Sequence, residues 1–267
     1  MNDVMRAALL MLGPLALNIV FGAIQVEAAE EACPELSNGH YAVWGKGWIE
    51  GKSSGDSVPT ARLMEERWLS SGLVEGVLIE RVGREERRSP YQGRRRASSG
   101  CVVTVERHMP WGQEEAEVVV DRDGRPVYSL LRHQSDVLSL RWMSMETGLC
   151  KSSSLNGVVL SQQMGLSQQR GEWYPNVVIQ REQWNNGAVD GVALSSYHGK
   201  SEEASYRGRL TMAPNSCWGS LREVDSKGNR YHYDALIVAD RSGADARGYI
   251  YLQSDPDDLT VGWLVRE

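Results

Sequence analysis

The chain is poor in the features that usually announce chemistry. It has one Phe, against nine Trp and ten Tyr, and only four Cys. No C-x2-C pair is present to hold zinc. None of the five histidines stands at H-x-H or i, i+4 spacing from another, so a metal site would need distant partners to converge. No G-x-S-x-G elbow presents a serine. Adjacent acids occur at Glu65-Glu66, Glu85-Glu86 and Glu114-Glu115. Neighbours on a strand point to opposite faces, so these are not the facing carboxylates of a glycosidase, and solvated positions are expected for them. A net charge of -6 gives no general pull toward nucleic acid or anionic lipid. No cofactor, no metal and no catalytic residue is expected. Whether the protein is an enzyme stays open, with the weight against it.

The first residues read as an export signal. Met1 to Arg6 carry the amino terminus and one arginine, Ala7 to Ile24 is apolar, and Val26-Glu27-Ala28-Ala29 offers small residues to a peptidase. The alternative is an uncleaved anchor. Gly13, Pro14 and Asn18 interrupt the run, which favours a signal over residues 1–29 and no stable membrane span after cleavage. Glu30 and Glu31 before Cys33 argue against a lipobox. The expected location is periplasmic or extracellular.

What the chain does have is a duplication. Cys33 to Cys101 spans 68 positions and Cys150 to Cys217 spans 67. Trp68, Gly72, Gly76, Tyr91, Gly93 and Arg94 recur as Trp184, Gly187, Gly191, Tyr206, Gly208 and Arg209. Asp121-Arg122-Asp123-Gly124 answers Asp240-Arg241-Ser242-Gly243, and Trp142 answers Trp263. An internal repeat fixes the organisation as a first unit over 30–146 and a second over 147–267. Four Cys in an oxidising compartment allow three pairings. The repeat selects Cys33–Cys101 and Cys150–Cys217.

Period-two alternation dominates both units. Glu117 to Val120, the Asp121–Gly124 turn and Pro126 to Leu131 read as a hairpin. Asp234 to Val238, a Ser242-Gly243 turn and Gly248 to Leu252 repeat it. Ser70-Ser71-Gly72 and Asn185-Asn186-Gly187 mark another turn in each unit, and Leu138 to Trp142 and Leu259 to Trp263 supply a last strand. Turn signals every 8 to 12 residues predict an all-β protein of two tandem antiparallel β-barrels, or barrel-like sandwiches, each with one internal disulfide. Closure removes the strand edges, which favours the barrel.

The order of Cys, Asn-Gly (Asn38-Gly39 and Asn156-Gly157), Tyr-x-Gly, second Cys and a strand–turn–strand resembles a family of secreted bacterial β-rich domains without an established role. The second unit departs from the first where Val158-Val159 replaces His40-Tyr41. A weaker, architectural likeness is to calycin-type barrels such as lipocalins and avidins, which implies a small apolar ligand in a barrel mouth.

Two sets of residues stand out as candidate sites. The duplicated aromatics Trp68, Tyr91, Trp142, Trp184, Tyr206 and Trp263 form either a core plug or the wall of a ligand cavity. Arg87, Arg88, Arg94, Arg95 and Arg96 form either a patch for an anionic partner or an exposed hairpin paired with nearby acids. The function expected is non-enzymatic binding of a small apolar molecule or a protein partner. A barrel-type isomerase or cyclase acting on an apolar substrate and a structural envelope module are the alternatives. A buried Glu, Tyr or His cluster with shifted ionisation would revive the enzyme.

Overall fold

The computed structural model describes residues 33–51, 56–97, 101–132, 136–146, 150–197, 199–240 and 245–267. The expected signal, the Ser242-Gly243 turn, His133 and His198 lie outside the described residues. The first barrel runs β1 (Gly39–Glu50), β2 (Ser57–Trp68), β3 (Leu73–Val82), β4 (Glu85–Ala97), β5 (Val102–Met109), β6 (Gly112–Val120), β7 (Pro126–Leu131) and β8 (Val137–Met145). Each strand pairs antiparallel with the next, and β8 returns to β1, so the sheet closes. A 3₁₀ turn, Ser152–Leu155, precedes the second barrel. That barrel runs β9 (Gly157–Gln169), β10 (Glu172–Asn185), β11 (Ala188–Tyr197), β12 (Lys200–Met212), β13 (Trp218–Asp225), β14 (Arg230–Ala239), β15 (Ala246–Gln253) and β16 (Asp258–Arg266), with β16 closing on β9. Among the described residues there is no α-helix.

The turns form where the residues demand them. Gly72 (φ +78°), Gly124 (φ +72°) and Asn186-Gly187 (φ +48° and +81°) occupy the left-handed region that a tight hairpin requires. Cys33–Cys101 fastens the first barrel and Cys150–Cys217 the second. Each bond closes a loop of nearly 70 residues, worth roughly 4 kcal/mol in the chain-entropy view.

The barrels share a face. Alternation breaks down in β14 and β15, where Ala235 to Ala239 and Tyr249 to Gln253 are buried without interruption. The reason is burial on both sides: one set of residues fills the barrel, and the other meets Ala42, Trp44, Ala61, Leu63 and Ile79 of the first barrel in a single apolar cluster. Polar contacts register the seam. Trp218 donates its indole N–H to Glu65, which also lies 2.7 Å from His40 Nε2 of its own barrel, and Arg81 Nη1 donates to the Gln253 carbonyl at 3.4 Å.

Candidate functional site

The first barrel is filled by an ion-pair chain set in aromatics. Gly76 faces Tyr91 in the β3–β4 register, and a Cβ on Gly76 would lie 2.4 Å from the Tyr91 hydroxyl oxygen. The missing side chain lets the ring lie flat across the strand and reach Glu66 at 2.6 Å. Glu66 also accepts from Trp68 Nε1 and Arg107 Nε, each at 2.7 Å. Arg107 continues to Glu114 at 3.3 Å, Glu114 to Arg62 at 2.6 Å, and Arg62 to Glu80 at 2.6 Å. The Arg107 guanidinium lies 5.7 Å from the Trp142 ring centre and 6.0 Å from that of Tyr91. Burial alone would lower the Arg107 pKa, but Glu66, Tyr91 and Glu114 outweigh it, so the guanidinium is held firmly charged. Glu114 is pushed up by burial and pulled down further by Arg62 and Arg107, so it sits below the usual carboxylate range.

The second barrel keeps half of this arrangement. Gly191 faces Tyr206 as Gly76 faces Tyr91, and Glu182 faces Gly191 as Glu66 faces Gly76. Glu182 accepts from Trp184 Nε1 at 2.7 Å, from the Tyr206 hydroxyl at 2.9 Å and from the Tyr249 hydroxyl at 2.9 Å. The counterpart of Arg107 is different. Arg107 pairs with Gly93 across β4–β5, and Glu223 pairs with Gly208 across β12–β13, so an acid stands where the first barrel has its arginine. Glu114 likewise becomes Tyr231, Arg62 becomes Val178 and Glu80 becomes Ser195. Two buried carboxyls result, with Tyr206, Tyr233, Tyr249 and Tyr251 around them. Burial and then the Glu182 charge push Glu223 well above the usual range, against a hydrogen bond from Tyr233. Burial also raises Glu182, although Trp184, Tyr206 and Tyr249 donate to it. Two like charges in one dry site cannot both ionise cheaply. Both carboxyls are therefore held above the usual range, Glu223 the further.

The candidate aromatics fall into two groups. Trp68, Tyr91, Trp142, Trp184 and Tyr206 point inward and are nearly fully buried, with Trp68 and Trp142 packed edge to face 5.5 Å apart. Trp68 and Trp142 also floor a polar cleft of about 720 Å³ whose rim carries Arg67, Arg125 and Arg247. Trp263 is not equivalent to Trp142. Trp142 pairs with Val43, and the residue in that register in the second barrel is Leu264, opposite Ser161. One residue of slip turns a side chain to the other face. Trp263 accordingly lies outside its barrel, 6.2 Å from Trp44 in the seam.

The arginines do not form one patch, because alternate residues of β4 face opposite ways. Arg95 caps the Trp68 end from inside, 4.8 Å from the ring centre, and donates to the Ser37 carbonyl and to Asn38 Oδ1. Arg87 lies over Trp111 at the other end. Arg88 points outward onto Trp218 in the seam, Arg96 pairs with Glu106, and Arg94 is exposed. The expectation that adjacent acids are solvated is corrected for Glu66 and Glu114, and in large part for Glu65. Interior arginines and the seam claim them, while Glu85 and Glu86 are exposed. The missed signal was Glu-x-Trp, present as Glu66-Arg67-Trp68 and again as Glu182-Gln183-Trp184.

Among the described residues, no group of three or more His, Cys, Asp or Glu is placed to hold a metal, and no helix is long and apolar enough to cross a membrane. On the outer wall of the second barrel, Leu160, Met164, Ile179, Val192 and Leu194 are exposed on the adjoining strands β9 to β11.

Fold and interior together define an all-β protein of two fused eight-stranded barrels, each with one disulfide and a buried Glu–Trp–Tyr cluster. No family model and no curated protein matches the sequence. Among solved structures, a candidate AttH from Nitrosomonas europaea is 10% identical over 95% of this chain and 99% of its own, with a TM-score of 0.27. A DUF3598-family protein of unknown function from Nostoc punctiforme is 10% identical over 86% and 96%, at 0.23. A porin-like protein from Bacteroides uniformis is 9% identical over 88% and 98%, at 0.22. Scores this low carry no argument about the chain.

Proposed function

We propose that the protein is an exported binding protein in which the first barrel is a closed support and the second holds a small polar ligand. One observation carries the reading. At matching positions the first barrel has a Glu66–Arg107 ion pair, and the second has Glu182 and Glu223, to which no Lys or Arg hydrogen-bonds among the described residues. A buried acid without its counter-charge costs stability and is kept where it serves a site. The two disulfides support an oxidising compartment. A small apolar ligand fits less well, since the interior of the second barrel is lined by Gln163, Gln180, Asn176 and tyrosine hydroxyls. Native mass spectrometry of protein purified from its own host tests the reading. A retained small molecule, released by Glu182→Gln, is expected; the bare chain under every condition would contradict it.

The same acids favour a second reading, a barrel-type isomerase or cyclase. A carboxyl that keeps its proton is a ready general acid. Turnover lost in Glu223→Gln with ligand binding intact would select it over binding alone.

A further inference from the structure

The interior of the second barrel has more acceptors than donors. Glu223 Oε1, Gln163 Oε1 and Asn176 Oδ1 are buried without a hydrogen-bond partner, on residues only 4 to 6% exposed. Buried acceptors of this kind are met by water or by a ligand. Gln163 is connected to the acids. Its amide N–H donates to Gln180, Gln180 donates to the Tyr206 hydroxyl at 3.0 Å, and Tyr206 donates to Glu182. The free oxygen of Gln163 lies over Gly262, the register partner of Tyr251. Among the described residues, no Lys or Arg hydrogen-bonds to Glu182 or Glu223.

The first barrel contains, in covalent form, the group that such a setting lacks. Arg107 brings a guanidinium to Glu66, against Tyr91 and Trp142. Its counterpart in the second barrel is an acid, while the acceptor, the tryptophan and the tyrosine are retained. The facing wall is rearranged at matching register: Tyr41 is replaced by Val159, Trp142 by Leu264 and Leu78 by Ala193, while Tyr233 stands for Ala116 and Tyr251 for Ser129 and bring their rings to the acids. We infer that the second barrel takes an organic cation with N–H donors, a protonated amine or guanidinium seated against Glu182 and Glu223 as Arg107 is seated against Glu66. This rests on the reading of that barrel as the ligand site. A cation offsets the negative charge of the pair, supplies donors to the free oxygens and meets tyrosine faces that attract positive charge. A neutral polyol would satisfy the oxygens and leave the acids opposed.

Calorimetric titration of the intact protein with agmatine, putrescine and choline, with glycerol as a neutral control, tests the inference. Agmatine and putrescine are expected to bind and choline, lacking N–H donors, to bind more weakly. Glu223→Gln should weaken binding roughly ten-fold or more, the worth of one charge-assisted hydrogen bond. Glu223→Arg, which copies the first barrel, should abolish it; if that variant fails to fold, Glu182→Gln serves in its place. Far-ultraviolet circular dichroism confirms the fold of each variant. Glycerol binding as well as the amines, or amine binding that ignores both acid substitutions, overturns the cation while leaving the second barrel a ligand site. If no probe binds and native mass spectrometry finds the bare chain, both readings fall.

Discussion

The two barrels are built on one plan and differ in what answers their buried acids. Each has a tryptophan and a tyrosine donating to a buried glutamate, with a glycine beneath the tyrosine ring. In the first, Arg62 and Arg107 pair with Glu66, Glu80 and Glu114, and of that ion-pair chain only Arg107 Nη2 is buried without a hydrogen-bond partner among the described residues. In the second, Val178 and Glu223 take those places, and the interior is left with acids and tyrosines. What both copies keep belongs to the scaffold. What one copy lacks is the arginine that answers the acid in the other.

The largest test removes the cation from the first barrel. Arg107→Met strands Glu66 in a dry interior and is expected to cost about 3–5 kcal/mol by urea denaturation, the usual penalty for breaking a buried pair. An unchanged midpoint would mean the ion pair is not what holds the first barrel. Next comes the feature both copies share. Replacing either cysteine pair by serine should cost roughly 4 kcal/mol, about equally in the two barrels because the loops are of nearly equal length. A large inequality would show that the barrels do not rely on their bridges alike.

Smaller effects sharpen the contrast. Gly191→Ala puts a Cβ 2.3 Å from the Tyr206 ring and should cost about 1–3 kcal/mol as the ring is driven off Glu182. Thermal unfolding that matches the parent would remove the glycine–tyrosine pair from the account. Glu223→Gln is expected to change little at pH 4.5 and to stabilise by about 1 kcal/mol at pH 8. Glu223 has a raised folded pKa, so its proton supports the fold in acid, and that support is lost as pH rises from the ordinary carboxylate value through the raised one. Glu114 has a lowered folded pKa, so its support is present above the ordinary value and lost as pH falls through the lowered one. Acid therefore weakens the first barrel and alkali the second.

Much of the scaffold was legible in the sequence. The cysteine spacing gave the correct bridges, and Asp121–Gly124 and Asn186-Gly187 lie at hairpin tips as turn chemistry requires. The interior charges were not legible. Arg107 reaches Glu66 from 41 positions away, across strands that no local pattern links, and each acid sits in a run that looks like any solvated strand. Trp142 and Trp263 looked equivalent because a sequence offset ignores the pleat, in which one residue separates core from surface.

The central claim is that matched interiors hold acids of opposite character, and carboxyl-carbon NMR of glutamate-labelled protein across pH measures it directly. Residue assignments would come from Glu114→Gln and Glu223→Gln. The account predicts that Glu114 titrates below the usual carboxylate range and Glu223 above it. Two ordinary titrations, or the reverse order, would contradict it.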